Sequence, residues 1–164
     1  MSKKYTIMFV CTGNTCRSPM AEGALRHLLE KEGLSDVEVI SSGTGAATGY
    51  PATLYAIEAA RTWDVDISGH LSKALTPDLI EKSDLILAMT PRHIKELLRI
   101  RRDAGSKTYL FKSFPETDHD GEGVSDPIGM SLEEYNKTFL ELGEYLGKNL
   151  PEITKRIKEK QDAS

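Results

Sequence analysis

The fold of this chain is decided by the stretch Val10-Cys11-Thr12-Gly13-Asn14-Thr15-Cys16-Arg17-Ser18-Pro19. The apolar run Tyr5 to Val10 predicts a buried strand in front of it, and Pro19 begins a helical pattern that continues to about Glu32. The sequence therefore places a cysteine in a short loop, where a strand ends and a helix begins.

The residue types of this loop are those of an anion-binding site. The N–H groups of a strand-to-helix loop and of the first helical turn point to one place, where their dipoles favour an anion such as phosphate or arsenate. Gly13 and Asn14 tolerate positive φ, so successive N–H groups can turn inward. Arg17 follows Cys11 after five intervening residues, and its planar guanidinium can hold two oxygens of the anion.

Cys11 is the candidate nucleophile of this site. A helix N-terminus and an arginine both favour thiolate over thiol, so the sequence predicts a lowered pKa for Cys11. Ser18 can donate a hydrogen bond to the sulfur and help it to leave again. The alternative interpretation is that Cys11 is a small buried hydrophobic residue and Arg17 a surface cation. The spacing of the two residues, with a strand before them and a helix after, favours chemistry.

The run Cys11 to Ser18 resembles the phosphate-binding loop of the low molecular weight protein tyrosine phosphatases. That family also has a catalytic aspartate in an Asp-Pro pair far along the chain, and this sequence has Asp126-Pro127. The resemblance extends from about Lys4 to Leu150. It implies that Cys11, Arg17 and Asp126 are the catalytic residues. The other phosphate-loop residues that it implies are Thr12, Gly13, Asn14, Thr15, Cys16 and Ser18.

Asp126 lies in a stretch, Phe114 to Gly129, that has five acidic residues, glycines and prolines but no periodic apolar pattern. This composition predicts a long loop. Beside Cys11, Asp126 would protonate the leaving atom and then act as base on the water that hydrolyses a phosphocysteine. An Asp-Pro pair is also an ordinary turn signal, so this role depends on the Cys11 loop.

The resemblance implies a further set of supporting residues. Ser41 and His70 match the serine and the histidine that hold the phosphate loop in shape together with Asn14. A lone histidine is otherwise more often a surface or core residue. Tyr50 and Ile128 are candidates for the walls of the substrate cleft.

Two positions bear on which phosphorylated side chain is the substrate. Thr15 stands where tyrosine-specific members of the family have a bulkier aliphatic residue and where protein arginine phosphatases have threonine. Ile128 and Gly129 follow Pro127, where tyrosine-specific members usually have tyrosine. We therefore expect a protein phosphatase closest in motif to the arginine phosphatase branch, with phosphoarginine slightly favoured and phosphotyrosine as the alternative.

Functions from other classes are disfavoured but open. Arsenate reductases that share this fold and loop need further cysteines downstream, and this chain has none after Cys16. A catalytically silent phosphate-binding or partner-binding module would be expected to have lost Cys11, Arg17 or Asp126. Cys16 is either a small buried residue or the partner of Cys11 in a reversible regulatory disulfide.

Short apolar runs alternate with helical patterns along the chain. The strand-like runs are Tyr5 to Val10, Val37 to Ser41, Leu85 to Ala88 and Thr108 to Phe111. The helical patterns are Pro19 to Glu32, Ala52 to Trp63, Pro77 to Lys82, Pro91 to Arg102 and Leu132 to about Lys158. With the resemblance, this alternation predicts an α/β fold: a three-layer, doubly wound, four-stranded parallel sheet in flavodoxin-like order 2-1-3-4, with helices on both faces.

Length and composition predict one phosphatase domain, residues 1–159, followed by a frayed tail, residues 160–164. The net charge of −4 and the absence of a basic block argue against nucleic-acid binding. No apolar run approaches the length of about 18 residues that a membrane span needs, and no signal peptide precedes Tyr5. We therefore expect a cytoplasmic protein that makes no membrane contact.

The expected partners and cofactors are few. A phosphorylated protein substrate is the one partner that the resemblance implies, and we expect a monomer. Asp118, His119 and Asp120 could suggest a metal, but their spacing is not that of a regular ligand set, so neither a metal nor a cofactor is expected. The chain has two cysteines, both in one loop, and therefore no disulfide framework.

Overall fold

Strands and helices alternate along the chain. The computed structural model describes residues 3–163. The strands are β1 (Tyr5–Cys11), β2 (Val37–Gly43), β3 (Leu85–Ala88) and β4 (Thr108–Leu110). The α-helices are α1 (Arg17–Lys31), α2 (Leu54–Arg61), α3 (Pro77–Lys82), α4 (Pro91–Ile100) and α5 (Leu132–Asp162). A short 3₁₀-helix, Arg102–Lys107, precedes β4.

The four strands form one parallel sheet in the order β2-β1-β3-β4, which confirms the predicted order 2-1-3-4. Phe9 of β1 pairs with Ser41 of β2 on one side and with Leu87 of β3 on the other. All seven residues of β1 are buried, as expected of a central strand covered on both faces.

Helices cover both faces of the sheet, which confirms the predicted three layers. Successive residues of a strand point to opposite faces. Ile7 and Phe9 therefore pack in one cluster with residues of α1, α2 and α5. Met8 and Val10 pack in another with residues of α3 and α4. Each large apolar side chain that is fully buried in this way, such as Phe9, contributes roughly 1.5–3 kcal/mol to stability.

Several helix and strand ends differ from the predicted ones. Helix α1 begins at Arg17 instead of Pro19, so the first helical turn starts within the quoted stretch. Strand β2 continues to Gly43, because the backbone of Gly43 pairs with Cys11 at the end of β1. Within residues 3–163, none of the helices combines the length and the apolar character needed to cross a membrane.

Helix α5 is longer than predicted and reaches Asp162. Its N-cap is Ser131, whose hydroxyl accepts from the N–H of Glu134. Near its end, Lys160 forms an ion pair with Asp84, with Nζ and Oδ1 2.7 Å apart. Helix α5 therefore continues into the predicted tail as far as Asp162. Ser164 of that tail, and Met1 and Ser2 of the predicted domain, lie outside the described residues.

The site lies at the carboxyl edge of the sheet. Met89, directly after β3, donates its N–H to the carbonyl of Val10 at 2.9 Å. The long segment after β4 returns to the same edge, where the N–H of Val124 bonds to the carbonyl of Met89 at 2.8 Å. These bonds bring the loop after β1 and the loop that contains Asp126 to one edge, where ligands bind in doubly wound folds.

Candidate active site

The phosphate loop, Cys11–Ser18, joins β1 to α1. Asn14 has a φ of 57°, in the left-handed region that asparagine tolerates. Several carbonyl groups of the loop bond to neighbours outside it. The carbonyl of Thr12 accepts from the N–H of Gly45 at 3.0 Å, and that of Thr15 accepts from the N–H of Thr53 at 3.0 Å. Carbonyls that face outward leave the N–H groups of the loop to face an anion.

Gly43 of β2 allows the phosphate loop to adopt this shape, because it has no side chain that would collide with the loop. A Cβ at position 43 would lie 2.3 Å from the carbonyl oxygen of Thr12 and 3.0 Å from the backbone nitrogen of Asn14. Both are backbone atoms, which have little freedom to move away. The loop therefore packs directly on a strand that has no side chain at the point of contact.

The sulfur of Cys11 lies at the base of the loop, and the residue is 2% exposed. Its Sγ is 2.8 Å from the hydroxyl oxygen of Ser18. Burial raises the pKa of the Cys11 thiol and outweighs the hydrogen bond of Ser18 and the charge of Arg17, which lower it. The predicted lowering of this pKa is therefore wrong for the folded chain, because the sequence displays the charges of the loop but not the depth of the sulfur.

Asn14 is the hub of the hydrogen bonds that hold the loop. Its Nδ2 donates to the hydroxyls of Ser18 at 2.8 Å and Ser41 at 2.9 Å. Its Oδ1 accepts from the N–H of Lys73 at 2.9 Å, and its carbonyl accepts from Nε2 of His70 at 2.7 Å. The structure thus brings Ser41 and His70 to Asn14. Burial lowers the pKa of His70, which favours the neutral ring.

Glu22 extends this network and was not identified from the sequence. The hydroxyl of Ser41 donates to its Oε1 at 2.7 Å, and Arg26 donates to its Oε2 at 2.7 Å. Glu22 and Arg26 are one helical turn apart on α1, so this ion pair is visible in the sequence. The hydrogen bond between Glu22 and Ser41 is not visible in the sequence, because it depends on the packing of α1 against β2.

Arg17 connects the phosphate loop to the loop that contains Asp126. Its side chain is 6% exposed, and its Nη1 donates to the carbonyl of Val124 at 2.9 Å. Its Nη2 lies 3.4 Å from Oδ2 of Asp126 and 3.5 Å from the hydroxyl of Thr12. The structure therefore brings together the three side chains that the resemblance implied as catalytic. The contribution of Val124, through a backbone carbonyl, had no sequence signal.

Asp126 is held more loosely than Arg17. Its side chain is 39% exposed, and its Oδ1 accepts from the N–H of Ile128 at 3.1 Å. This bond fixes the carboxylate at the start of the Asp-Pro turn. The carboxylate therefore faces both Arg17 and solvent.

These residues line one small, partly open cleft with a volume of about 20 Å³. Its lining is formed by Cys11, Gly13, Thr15, Cys16, Arg17, Asp126 and Ile128. Ile128 is 57% exposed at this cleft. Tyr50 is not among the lining residues and is 60% exposed, so its role as a wall stays a prediction.

Cys16 is one of the lining residues of the cleft and is 4% exposed. Its Sγ is 3.4 Å from the hydroxyl of Tyr135 on α5 and 3.6 Å from that of Thr53. Both cysteines of the chain are free and buried, and the regulatory disulfide stays a prediction.

The residues considered as a possible metal site have other contacts. Nε2 of His119 is 2.9 Å from the carbonyl oxygen of Thr108, and Oδ1 of Asp118 accepts from the N–H of Asp120 at 2.9 Å. Across residues 3–163, His, Cys, Asp and Glu side chains form no group of three or more that could hold a metal ion.

The geometry of this site agrees with a family assignment for the whole chain. The family model described as low molecular weight phosphotyrosine protein phosphatase matches residues 6–162. The chain therefore belongs to this family.

The chain is similar to individual proteins with different names. It is 41% identical over 140 residues to a protein-arginine-phosphatase of Bacillus subtilis (strain 168), a match that covers 85% of this chain and 91% of the relative. An arsenate reductase of Staphylococcus haemolyticus is 33% identical over 150 residues, covering 85% of this chain and all of the relative.

A solved structure of the YwlE arginine phosphatase, a cysteine-to-serine mutant with a phosphorylated active-site serine, superposes with a TM-score of 0.85. It is 37% identical and covers 93% of this chain and 99% of that one.

Proposed function

We propose that this chain is a cysteine-dependent protein phosphatase that removes phosphate from protein side chains, with phosphoarginine preferred over phosphotyrosine. The observation that carries the proposal is the shared cleft, which Cys11, Arg17 and Asp126 line together. A nucleophile, a cation for the phosphoryl oxygens and a proton donor are the groups that phosphate transfer to cysteine requires.

In the first step, the thiolate of Cys11 attacks phosphorus. An S–P bond forms while the bond from phosphorus to the leaving atom breaks, and Asp126 gives its proton to that atom. Arg17 binds two of the phosphoryl oxygens and the N–H groups of the loop bind the rest. Because the attacking form is the thiolate, we expect the rate to rise with pH as Cys11 ionises.

In the second step, water hydrolyses the phosphocysteine. Asp126, now a carboxylate, takes a proton from the water as its oxygen bonds to phosphorus, and the S–P bond breaks. The hydrogen bond of Ser18 stabilises the departing thiolate of Cys11. The products are inorganic phosphate and the enzyme in its starting form.

The cleft itself supports a guanidinium-bearing substrate. None of its lining residues is aromatic. Ile128 occupies the position where tyrosine-specific members of the family usually have a tyrosine that would pack against the substrate's phenyl ring. Thr15 places a small, polar side chain in the lining, and the half-exposed carboxyl group of Asp126, which holds the proton for the leaving nitrogen, can still accept a hydrogen bond from a guanidinium through its other oxygen. The similarity to a named protein-arginine-phosphatase supports the same preference.

The mechanism is tested with p-nitrophenyl phosphate, a substrate that needs no side-chain recognition. We expect Cys11→Ser to reduce turnover at least roughly 10⁴-fold, since the nucleophile is lost. Cys16→Ser is the matched control, because it changes a sulfur in the same loop that is not the nucleophile, and it should retain most of the activity. Full turnover by Cys11→Ser would refute the thiol mechanism.

The substrate preference needs a direct comparison of peptides that carry phosphoarginine or phosphotyrosine. We expect the phosphoarginine peptide to be hydrolysed faster, and the variant Thr15→Ile with Ile128→Tyr to shift the ratio toward phosphotyrosine. If the wild-type chain prefers phosphotyrosine and this double variant leaves the ratio unchanged, phosphotyrosine is the substrate, as the description of the family suggests.

We propose further that the enzyme is a single-domain cytoplasmic monomer that uses no metal, cofactor, membrane or nucleic acid. Activity in excess EDTA and elution at monomer size test two of these points directly. Arsenate reduction is disfavoured although a relative has that name, because both cysteines lie in the phosphate loop. Arsenate-dependent oxidation of thioredoxin by the pure protein would overturn this preference.

A further inference from the structure

His93 is a buried histidine that touches the phosphate loop and has no part in the mechanism above. It lies in the first turn of α4 and is 1% exposed. Its Nε2 is 2.8 Å from the hydroxyl oxygen of Thr12, which is itself 3.5 Å from Nη2 of Arg17. The contacts form a chain from the start of α4 to the guanidinium that would bind phosphate.

The N-terminus of α4 determines which ring nitrogen of His93 carries the proton. Nδ1 lies 3.1 Å from the backbone nitrogen of Thr90, whose hydrogen it accepts, and 3.0 Å from the Thr90 hydroxyl. A backbone N–H donates only, so Nδ1 is the acceptor and Nε2 carries the hydrogen in the neutral ring. Nε2 therefore donates to Thr12.

The surroundings of His93 keep this ring neutral. Burial, together with the positive charges of Arg17 on α1 and Arg92 on α4, lowers the pKa of His93 to about 4, while Asp126 opposes this effect. At neutral pH the ring is thus an uncharged donor, and no second positive charge competes with Arg17.

The hydroxyl of Thr12 then has one free direction. The Thr12 oxygen accepts one hydrogen bond from His93 and a longer one from Arg17. These two bonds use both lone pairs of the Thr12 oxygen. Its proton is left to donate to a third group. In the proposed phosphatase, the acceptor that arrives beside Arg17 is an oxygen of the phosphoryl group.

We propose that His93 is a positioning residue for phosphate transfer: it orients the Thr12 hydroxyl as acceptor for Arg17 and as donor to a phosphoryl oxygen. This inference rests on the proposed function. It assigns to α4 a part in the site that neither the family description nor the names of the relatives contain.

The test separates the two contacts of His93. His93→Asn keeps an acceptor near the N–H of Thr90 but is too short to reach Thr12, whereas His93→Gln can place an N–H near the position of Nε2. We expect His93→Asn to lower kcat for p-nitrophenyl phosphate about tenfold with little change in KM, and His93→Gln to recover part of that loss. His27→Asn on α1, outside the cleft, is the matched control and should be unaffected.

Action through Thr12 is measured with a double-mutant cycle. Thr12→Val removes the hydroxyl at constant shape, and we expect about a tenfold loss of kcat. The double variant with His93→Asn should be no slower than Thr12→Val alone. The proposal is overturned if the losses of kcat in the two single variants add up in the double variant. It is also overturned if the folded His93→Asn protein has an unchanged kcat, or if kcat in the variants falls only in proportion to their urea midpoints of unfolding.

Oxyanion binding distinguishes failure of this inference from failure of the proposed function. In Cys11→Ser protein, which turns over no substrate, His93→Asn should weaken tungstate binding about tenfold by calorimetry. If the wild-type chain lacks phosphatase activity but this loss is seen, the proposed function fails and the positioning role stands. If wild-type turnover is normal and His93→Asn leaves the tungstate affinity unchanged, only the positioning role fails. If the Cys11→Ser protein does not bind tungstate at all, the positioning role fails, and turnover of p-nitrophenyl phosphate by the wild-type chain decides the proposed function separately.

Discussion

The phosphate loop and the acid loop, Phe114–Gly129, contribute to the same cleft but are held very differently. In the phosphate loop, Asn14 and Ser18 are fully buried, and Asn14 alone makes four hydrogen bonds through its side chain and carbonyl, three of them to residues outside the loop. In the acid loop, Phe114, Val124 and Pro127 are buried, whereas the side chain of Asp126 is 39% exposed.

This difference reflects the separate tasks of the two loops. The oxygens of a phosphoryl group have fixed positions, so the groups that bind them gain from being placed before the substrate arrives. A proton donor must instead follow leaving groups of different size. We therefore expect substitutions in the phosphate loop to affect every substrate, and substitutions in the acid loop to affect some substrates more than others.

Arg17→Lys should have the largest effect. Lysine keeps the charge but loses the planar fork that binds two oxygens and reaches Val124, so we expect kcat/KM to fall roughly 10³-fold for all substrates. Steady-state kinetics on an aryl phosphate and a phosphoarginine peptide check this. A loss confined to one of the two substrates would contradict the proposed division of tasks.

Asp126→Asn should have a smaller and more selective effect. The amide does not donate the proton, so we expect roughly a 10²-fold loss of kcat for poor leaving groups and much less for good ones. A series of aryl phosphates of graded leaving-group pKa measures this as a steeper dependence in the variant. An equal loss along the series would show that Asp126 acts through Arg17 and not as an acid.

Two glycine substitutions compare the packing of the two loops directly. In Gly43→Ala the new Cβ meets backbone atoms of the phosphate loop, whereas in Gly123→Ala it meets the side chain of Thr90 at 2.9 Å and the carbonyl of Met89 at 3.1 Å. We expect Gly43→Ala to cost about 1–3 kcal/mol of unfolding free energy and most of the activity, and Gly123→Ala to cost less of both. Urea titrations and turnover check the order, and a reversed order would contradict the comparison.

His93, which contacts Thr12 of the phosphate loop, should have the smallest effect, and this effect is on the pH dependence of stability. Its pKa is about 4 in the folded chain and about 6.5 when unfolded, so the unfolded chain binds more protons between these values. The free energy of unfolding therefore falls as the pH drops from about 6.5 toward 4. We expect His93→Gln to lose about 2 kcal/mol less stability than wild type between pH 7 and 4.5 in urea titrations. Parallel losses in the two proteins would show that His93 does not carry this effect.

Much of the site was readable in the sequence because its spacing is local. The strand, the loop and the helix that present Cys11 and Arg17 are contiguous, and the alternation of strands and helices predicted the sheet that supports them. The role of Asp126 could be predicted only from the family resemblance, since an Asp-Pro pair by itself is an ordinary turn signal.

The parts that escaped prediction depend on contacts between distant residues. His93 and Thr12 are 81 positions apart, so the helical pattern predicted from Pro91 gave no sign that His93 contacts the phosphate loop. The pKa of Cys11 was predicted in the wrong direction because burial is a property of the packed loop. The contact of Arg17 with Val124 uses a backbone carbonyl, which any residue type would supply.

The ion pair between Lys160 and Asp84 has a practical consequence for anyone shortening this protein. The other carboxylate oxygen of Asp84 accepts from the N–H of Thr6 at 2.8 Å, so Asp84 clamps the first strand and the last helical turns together. A chain cut at the predicted boundary after residue 159 would keep every residue of the cleft yet leave this partly buried carboxylate without its cation. Such a truncated protein should be an active enzyme with a shorter lifetime against heat and proteases.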